Sequence, residues 1–211
     1  MSENPEIPEK DYSNRLGMTS LRIAICYADG YSSLKFLDEI LGVQINNQDK
    51  FLTFPQFFNY LYGICFQSVV INLSNIIVED KESINIYYLK SFFENHTQEM
   101  KKFEDYKDLY SNIQEITNAY SKECEFYQGL KELRDKYIAH IDKARFNAAA
   151  GPKNKISLED IRLAYAFIGD LVGRLIGSLG INPDLVDFEQ LEKANLQFRL
   201  LVDGLKPNPV I

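Results

Sequence analysis

The sequence predicts an all-α protein, a helical bundle of four to six helices, and three observations lead to this fold class. Apolar residues recur at intervals of three and four along most of the chain, as on one face of a helix. No segment alternates apolar and polar residues as a strand does, and no repeat or domain break is visible. With 211 residues, 45% of them apolar, the chain can bury a sizeable core.

The first two helices are predicted from their flanking residues. Residues 1–14 contain two prolines and four acids, which favours a flexible N-terminal tail. A helix over about residues 16–42 follows, in which Gly30 is a tolerated weak point. The next helix is predicted to run to Val78, because Thr53 can cap it and Pro55 suits its first turn.

This second helix is strongly apolar, but polar residues interrupt it, which a bilayer would penalise. We therefore expect a buried core helix rather than a membrane span, with one narrow polar stripe formed by Gln56, Asn59, Gly63, Gln67 and Ser74. No signal peptide is recognisable at the N-terminus, so a cytoplasmic protein is expected.

Further helices are predicted in chain order. Ser83 is expected to cap a short one, the residues from Thr97 to Lys122 form one long amphipathic helix, and another covers about residues 126–142. Ser157 and Asp160 form a near capping box for a helix ending about Leu179. A last helix from about residue 182 lies in a C-terminal appendage, residues 181–211.

The charge distribution is uneven. The formal net charge of −7 argues against a protein that wraps duplex nucleic acid over its whole surface. Between Lys131 and Lys155, however, seven basic residues face only three acids. This segment suits a local anionic ligand such as single-stranded RNA, although a solvated basic face would have the same composition.

The cysteines and possible metal ligands point to no cofactor. Cys26, Cys65 and Cys124 lie in apolar or aromatic neighbourhoods without ligand spacing, so we expect three buried free thiols. No cluster of His, Cys, Asp and Glu has the spacing of a metal site.

The segment "ELRDKYIAHIDKAR", residues 132–145, holds one of only two histidines, six residues after an arginine. On a helix the apolar stripe of this segment is flanked by Arg134 on one edge and His140 on the other, about 120° apart and about 9 Å along the axis. One helix therefore does not bring both groups to one point, whereas two copies crossing over the stripe could. A buried-edge histidine is otherwise usually a hydrogen-bonded core or capping residue.

Arg134 has no acid three or four residues away on its own helix, so its partner is expected elsewhere in the protein or in a ligand. Asp135 has Lys131 four residues before it, and Lys136 has Glu132 at the same distance. These two are expected to be ordinary surface pairs.

The stretch "RDKYIAHIDK" resembles the signature of the HEPN superfamily, an arginine, a polar residue, four more residues and a histidine late in an all-α protein. "NLSNIIVEDKESINIYYL", residues 72–89, looks like the AbiU-type abortive-infection branch of that superfamily. The resemblance covers residues 15–180, expected to be one HEPN-like domain.

The resemblance implies a two-fold homodimer whose facing signature helices form one metal-independent endoribonuclease site of a phage-defence or toxin–antitoxin type. It implies that Arg134 steadies the phosphate, that His140 is the general base or acid, and that Asp135 orients one of them. The residues expected to bind RNA are Lys136, Lys143, Arg145, Lys153 and Lys155. An antitoxin or nucleotidyltransferase is a further possible partner, and the alternative function is a non-catalytic bundle that binds RNA or protein.

Overall fold

The protein is described here by a computed structural model, which covers residues 9–80, 84–102, 105–139, 156–178 and 188–205. For residues 9–13, 136–139 and 188–195 it describes the backbone alone. These residues form helices and no strand, which confirms the all-α fold class. The helices are α1 (Glu9–Asn46), α2 (Gln48–Thr53), α3 (Pro55–Ile77), α4 (Ile86–Asn95), α5 (Thr97–Met100), α6 (Tyr106–Ala119), α7 (Glu125–Ala139), α8 (Leu158–Ser178) and α9 (Phe188–Gly204).

The core is built on α1 and α3, which pack along each other in opposite directions. The Ser33 hydroxyl donates to the Ser68 hydroxyl (2.8 Å), while Gly30 lies beside Asn72, so residue numbers rise on one helix as they fall on the other. Buried aliphatic side chains fill the seam and the spaces beneath α4, α6 and α8. This pair is the platform on which the remaining helices lie.

Gly30 is the point where three helices meet, and it is not the weak point that the sequence suggested. A Cβ atom there would overlap the Tyr165 hydroxyl and would lie 2.9 Å from Cβ of Asn72. Tyr165 of α8 is fully buried, and its hydroxyl donates to the Val69 carbonyl of α3 (3.0 Å). The absence of a side chain at residue 30 therefore lets α8 wedge its tyrosine between α1 and α3.

Most buried side chains of α3 lie in its C-terminal half, from Cys65 to Ile77, whereas in its N-terminal half Phe58 is the one buried residue. Phe57, Tyr60 and Ile64 are exposed there, Tyr60 by 69%. By length and composition α3 could cross a membrane, a test that core helices of soluble proteins also pass. The prediction of a buried core helix therefore holds for the half of α3 that packs in the bundle.

Several helix ends differ from the sequence prediction. Thr53 ends α2 and donates its hydroxyl to the Asp49 carbonyl (2.8 Å), so the predicted Thr53 cap is wrong and Phe54 occupies the N-cap position of α3. Pro55 lies at the start of α3, as predicted. The cap of α4 is Asn85, whose side chain accepts a hydrogen bond from the Tyr88 N–H (3.0 Å); Ser83 lies outside the described residues.

The long helix predicted from Thr97 is also interrupted. α5 ends at Met100 and α6 begins at Tyr106, and the described residues between them, 101, 102 and 105, are in turns. The buried side chains Met100, Leu109, Ile113 and Ile116 were predicted correctly. Periodicity thus identified the buried residues and missed the interruption between α5 and α6.

The capping box of α8 is confirmed. The Asp160 carboxylate accepts hydrogen bonds from the Ser157 hydroxyl (2.6 Å) and the Ser157 N–H (2.9 Å), and the Asp160 N–H donates back to the Ser157 hydroxyl (3.1 Å). The same bonds from Ser157 lower the pKa of Asp160. The start of α8, and with it Tyr165, is positioned by this local arrangement.

The C-terminal helix α9 packs on α1 through an aromatic contact and ionic bonds. Phe198 lies 4.6 Å from Phe36 between ring centroids, and Arg199 Nε donates to the Glu39 carboxylate (2.7 Å). Lys50 Nζ donates to the Val202 carbonyl (2.9 Å) near the C-terminal end of α9. Arg199 lowers the pKa of Glu39. The appendage predicted over residues 181–211 is thus anchored to the bundle by α9.

At the other end, α1 begins at Glu9, inside the segment 1–14 that was predicted to be a flexible tail. Residues 1–8 lie outside the described part of the chain. The cysteines are unpaired, as predicted, but only Cys65 is fully buried, whereas Cys26 and Cys124 are half-buried.

We predict that Gly30→Ala destabilises the protein by about 1–3 kcal/mol, the range found when a packed core must absorb an extra methyl group. Gly42→Ala on the same helix is the control. No atom lies within 4 Å of a Cβ placed at residue 42, so this substitution should stabilise by about 0.5–1 kcal/mol. Urea unfolding measures both changes, and equal stability of the two variants would contradict the role assigned to Gly30.

Candidate functional site

The helix that carries the motif, α7, is positioned at its start by the end of α3. The Glu79 N–H, just after α3, donates to the Tyr127 hydroxyl (3.0 Å). The Glu79 carboxylate also pairs with Lys122, just before α7. Neither contact was predicted from the sequence, because the two contacts join residues that are 43 and 48 positions apart and no local sequence pattern indicates them.

The apolar stripe of α7 is buried inside the chain. The stripe predicted from the sequence consists of Phe126, Leu130, Leu133, Tyr137 and Ile141. Leu130 and Leu133 are 0% and 6% exposed, Phe126 is partly buried against the core, and α7 packs against α3. The Tyr137 side chain and Ile141 lie outside the described part of the chain. The sequence predicts that this stripe lies between two copies of the protein. In the described part of α7 it cannot serve as that surface, since α3 and the rest of the core already cover it.

Arg134 lies at the edge of the stripe, and it forms an ion pair with the next residue, Asp135. Its Nε and Nη2 both donate to Oδ1 of Asp135, at 3.0 and 2.8 Å. The expectation that the partner of Arg134 comes from elsewhere in the protein or from a ligand is therefore wrong. Adjacent residues on a helix do not usually face each other. Here the arginine side chain is long enough to bend onto the carboxylate of the next residue. The predicted Asp135–Lys131 surface pair is replaced by this contact.

The burial of the two side chains is unequal. The Arg134 side chain is 15% exposed and that of Asp135 is 55% exposed. The arginine stem thus packs along the bundle while the ion pair lies at the surface, as is common for long basic side chains. One carboxylate oxygen holds the guanidinium plane in a defined orientation.

This arrangement leaves donors available. The described residues provide no hydrogen bond to Nη1 of Arg134, and Oδ2 of Asp135 accepts none from them. A guanidinium held from one side can still present N–H groups to a phosphate, whose geometry it matches.

The other predicted site residues are not placed by the structure. Lys136 is on α7, but its side chain is not described. His140, Lys143, Arg145, Lys153 and Lys155 lie outside the described residues. The structure therefore brings together Arg134 and Asp135, and the remaining residues stay predictions.

No set of three or more His, Cys, Asp or Glu side chains within the described ranges is arranged to hold a metal ion. The candidate site consists of an oriented cation and its carboxylate on the surface of a helical bundle.

The AbiU2 family model of HEPN proteins matches residues 24–194. The chain belongs to this family. The match covers α1 from Ala24 through α8 and enters α9, so it includes the motif helix and the Gly30 contact. The resemblance drawn from the two sequence stretches is thereby confirmed. No curated protein and no solved structure matches the chain significantly.

We predict that Leu130→Ala in α7 lowers the free energy of unfolding by about 2–5 kcal/mol, the usual result of emptying a fully buried leucine site. Because the stripe is covered within one chain, the loss should not depend on protein concentration. Thermal unfolding over a hundredfold range of concentration measures this. A variant that stays folded and only changes from dimer to monomer would show that the stripe is an interface after all.

Proposed function

We propose that this AbiU2-family protein is a metal-independent endoribonuclease of the abortive-infection or toxin–antitoxin type, with Arg134, Asp135 and His140 as its catalytic residues. Membership of a HEPN family supports a ribonuclease-like, abortive-infection domain. The observation that carries the proposal further is the Arg134–Asp135 pair, an oriented guanidinium with an unengaged Nη1 at the surface of the bundle.

The proposed chemistry is attack by the ribose 2′-hydroxyl on the adjacent phosphate. His140 removes the proton of that hydroxyl, the 2′-oxygen bonds to phosphorus, and the bond to the 5′-oxygen breaks. The leaving oxygen takes a proton from the imidazolium form of His140 of the same or the second copy. The products are a 2′,3′-cyclic phosphate and a 5′-hydroxyl. Arg134 neutralises the charge that builds up on the non-bridging phosphate oxygens, while Asp135 holds its plane.

A composite site requires a second copy, because helical spacing in the sequence predicts Arg134 and His140 on different edges of the apolar stripe. We therefore propose a homodimer. Since the described part of the apolar stripe of α7 is covered within the chain, other surfaces would have to join the two copies and bring His140 of one copy to Arg134 of the other. The basic residues Lys136, Lys143, Arg145, Lys153 and Lys155 would bind the RNA backbone. An antitoxin or a nucleotidyltransferase is the proposed regulator, and the cytoplasm the proposed location.

A second candidate function is a non-catalytic bundle that binds RNA or a protein partner. The observation that favours it is the low exposure of Arg134, whose side chain is 15% exposed and already paired with Asp135. An arginine used in this way can simply fix the edge of α7. The two candidates differ in whether phosphodiester bonds are cut.

We predict that the purified protein cuts RNA in the presence of EDTA and leaves 2′,3′-cyclic phosphate ends, and that it does not cut DNA or RNA with a 2′-O-methyl group at the site. Arg134→Ala and His140→Ala should each reduce cleavage by a factor of 100 or more, on the order expected for losing phosphate stabilisation or a general base. Mass spectrometry of the fragment ends provides the readout.

Lys131→Ala is the matched control for this experiment, since Lys131 is an exposed basic residue on the same helix. It should leave the cleavage rate within about a factor of two, as a surface charge change does. If RNA remains intact with the wild-type protein but is still retained by it, the binding-module function is supported instead. Cleavage that stops on chelation would contradict the proposed chemistry.

We predict that Lys153→Ala together with Lys155→Ala weakens RNA binding evenly across sequences and reduces the slope of log affinity against log salt. Lysine supplies point charges to phosphates and does not read bases, so each lost contact should change the slope by about 0.7 for single-stranded RNA. Fluorescence anisotropy at four salt concentrations measures the slope. An altered sequence preference would show that this segment contacts bases.

A further inference from the structure

A cavity of about 410 Å³ lies along the outer seam of α1 and α8, apart from the α7 motif. This volume is within the range of small-molecule sites, and at about 30 Å³ per water it equals that of roughly a dozen water molecules. Its wall on α1 is formed by Tyr27 and Tyr31, and its wall on α8 includes Gly169, Asp170 and Gly173. Nothing in the proposed ribonuclease chemistry uses these residues.

Tyr27 brings a polar group to the wall of the cavity. The side chain is only 9% exposed, and its ring stacks on Tyr31 at 5.5 Å between centroids. Its hydroxyl makes no hydrogen bond with any described residue and reaches the wall at Gly169, where a Cβ would lie 2.6 Å from the oxygen. The hydroxyl oxygen is not among the buried polar atoms that lack a partner, so solvent reaches it and it is open to a hydrogen bond from a ligand in the cavity.

The charge of the site is negative. Asp170 is exposed at the cavity, is the one charged residue in its wall, and forms no ion pair with the described residues. Burial, Tyr31 and Asp170 raise the pKa of Tyr27 to about 12, so the phenol stays neutral at physiological pH. The wall therefore offers a carboxylate and a neutral hydroxyl oxygen, both of which accept hydrogen bonds.

The two glycines of the wall have different explanations. Gly169 is required by the Tyr27 hydroxyl, which would collide with any side chain there. Gly173 has no atom within 4 Å of its Cβ position, although a glycine inside a helix is less stable than an alanine. Packing among the described residues gives no reason for Gly173, which is exposed and leaves the mouth of the cavity open.

We infer that this cavity binds a small organic cation, a protonated amine with an apolar or aromatic body. The ammonium group lies between the Asp170 carboxylate and the Tyr27 hydroxyl, and the body lies against Val172, Ile176 and the edge of the tyrosine pair. Lys35 Nζ already sits 5.0 Å from the centre of the Tyr31 ring, so the ligand cation belongs at Asp170 rather than over that ring.

The test compares 2-phenylethylamine with 2-phenylethanol, which has nearly the same shape without the charge. In a heteronuclear NMR titration of the full chain, the amine should shift the signals of Gly169, Asp170 and Gly173 and bind about two to five times more tightly than the alcohol, as for one exposed ion pair. Asp170→Asn should remove this difference, and Tyr27→Phe should weaken amine binding about fivefold. Equal affinity of the two probes for the wild-type protein, or no saturable shift, would overturn the inference.

Gly173→Ala and Gly177→Ala form a matched pair for the same titration. Both positions are on α8 with no atom within 4 Å of the Cβ position, but only Gly173 lines the cavity. Both variants should raise the midpoint of thermal unfolding, and only Gly173→Ala should reduce amine binding. If neither variant affects amine binding, the small-cation site is wrong. If, in addition, both variants abolish a dimer seen by native mass spectrometry, a second copy of the protein covers this face of α8.

Discussion

The close contact of α1, α3 and α8 at Gly30 is the constraint on which the rest of the bundle depends. A tyrosine hydroxyl from α8 lies where a side chain at residue 30 would be, and it donates to a backbone carbonyl of α3. Since a helix carbonyl has room for a second hydrogen bond, this contact joins α8 to α3 without breaking either helix. This contact places α8 on the antiparallel α1–α3 pair, and the seam of α1 and α8 in which Tyr27 and Gly169 meet lies beside it.

The same platform determines what α7 can present to a ligand. Because Leu130 and Leu133 are buried where α7 packs against α3, the apolar stripe contributes stability within the chain, and the polar edge with Arg134 is the part of α7 that a ligand could reach. Arg134 is then held by its packed stem on one side and by Asp135 on the other. A guanidinium restrained in this way loses little side-chain freedom when it binds a phosphate, which is the property a catalytic site requires. The restraint is local, so a dimer would add a second edge without rebuilding the helix.

Much of the fold could be predicted from the sequence, and the failures have definite physical causes. Periodicity identified the buried residues Leu109, Ile113 and Ile116, because burial is decided by which face of a helix is apolar. It did not identify the break between α5 and α6, because both pieces continue the same spacing. Thr53 has the chemistry of a cap, yet a preceding short helix uses it, and Asn85 is the actual cap of α4. A capping hydrogen bond is made within a few residues of the helix start. Which of two neighbouring residues acts as the cap, however, depends on where one helix ends and the next begins.

For the candidate site, the sequence by itself determined the family, the motif residues and the basic segment, because these are properties of residue identity and spacing. Only the tertiary structure decided that the apolar stripe of α7 faces α3, that Arg134 pairs with Asp135, and that Gly30 is a contact point. Each of these depends on atoms that are distant in sequence or on the reach of a flexible side chain. A helical wheel gives directions around one axis, and it contains no information on which neighbour occupies them.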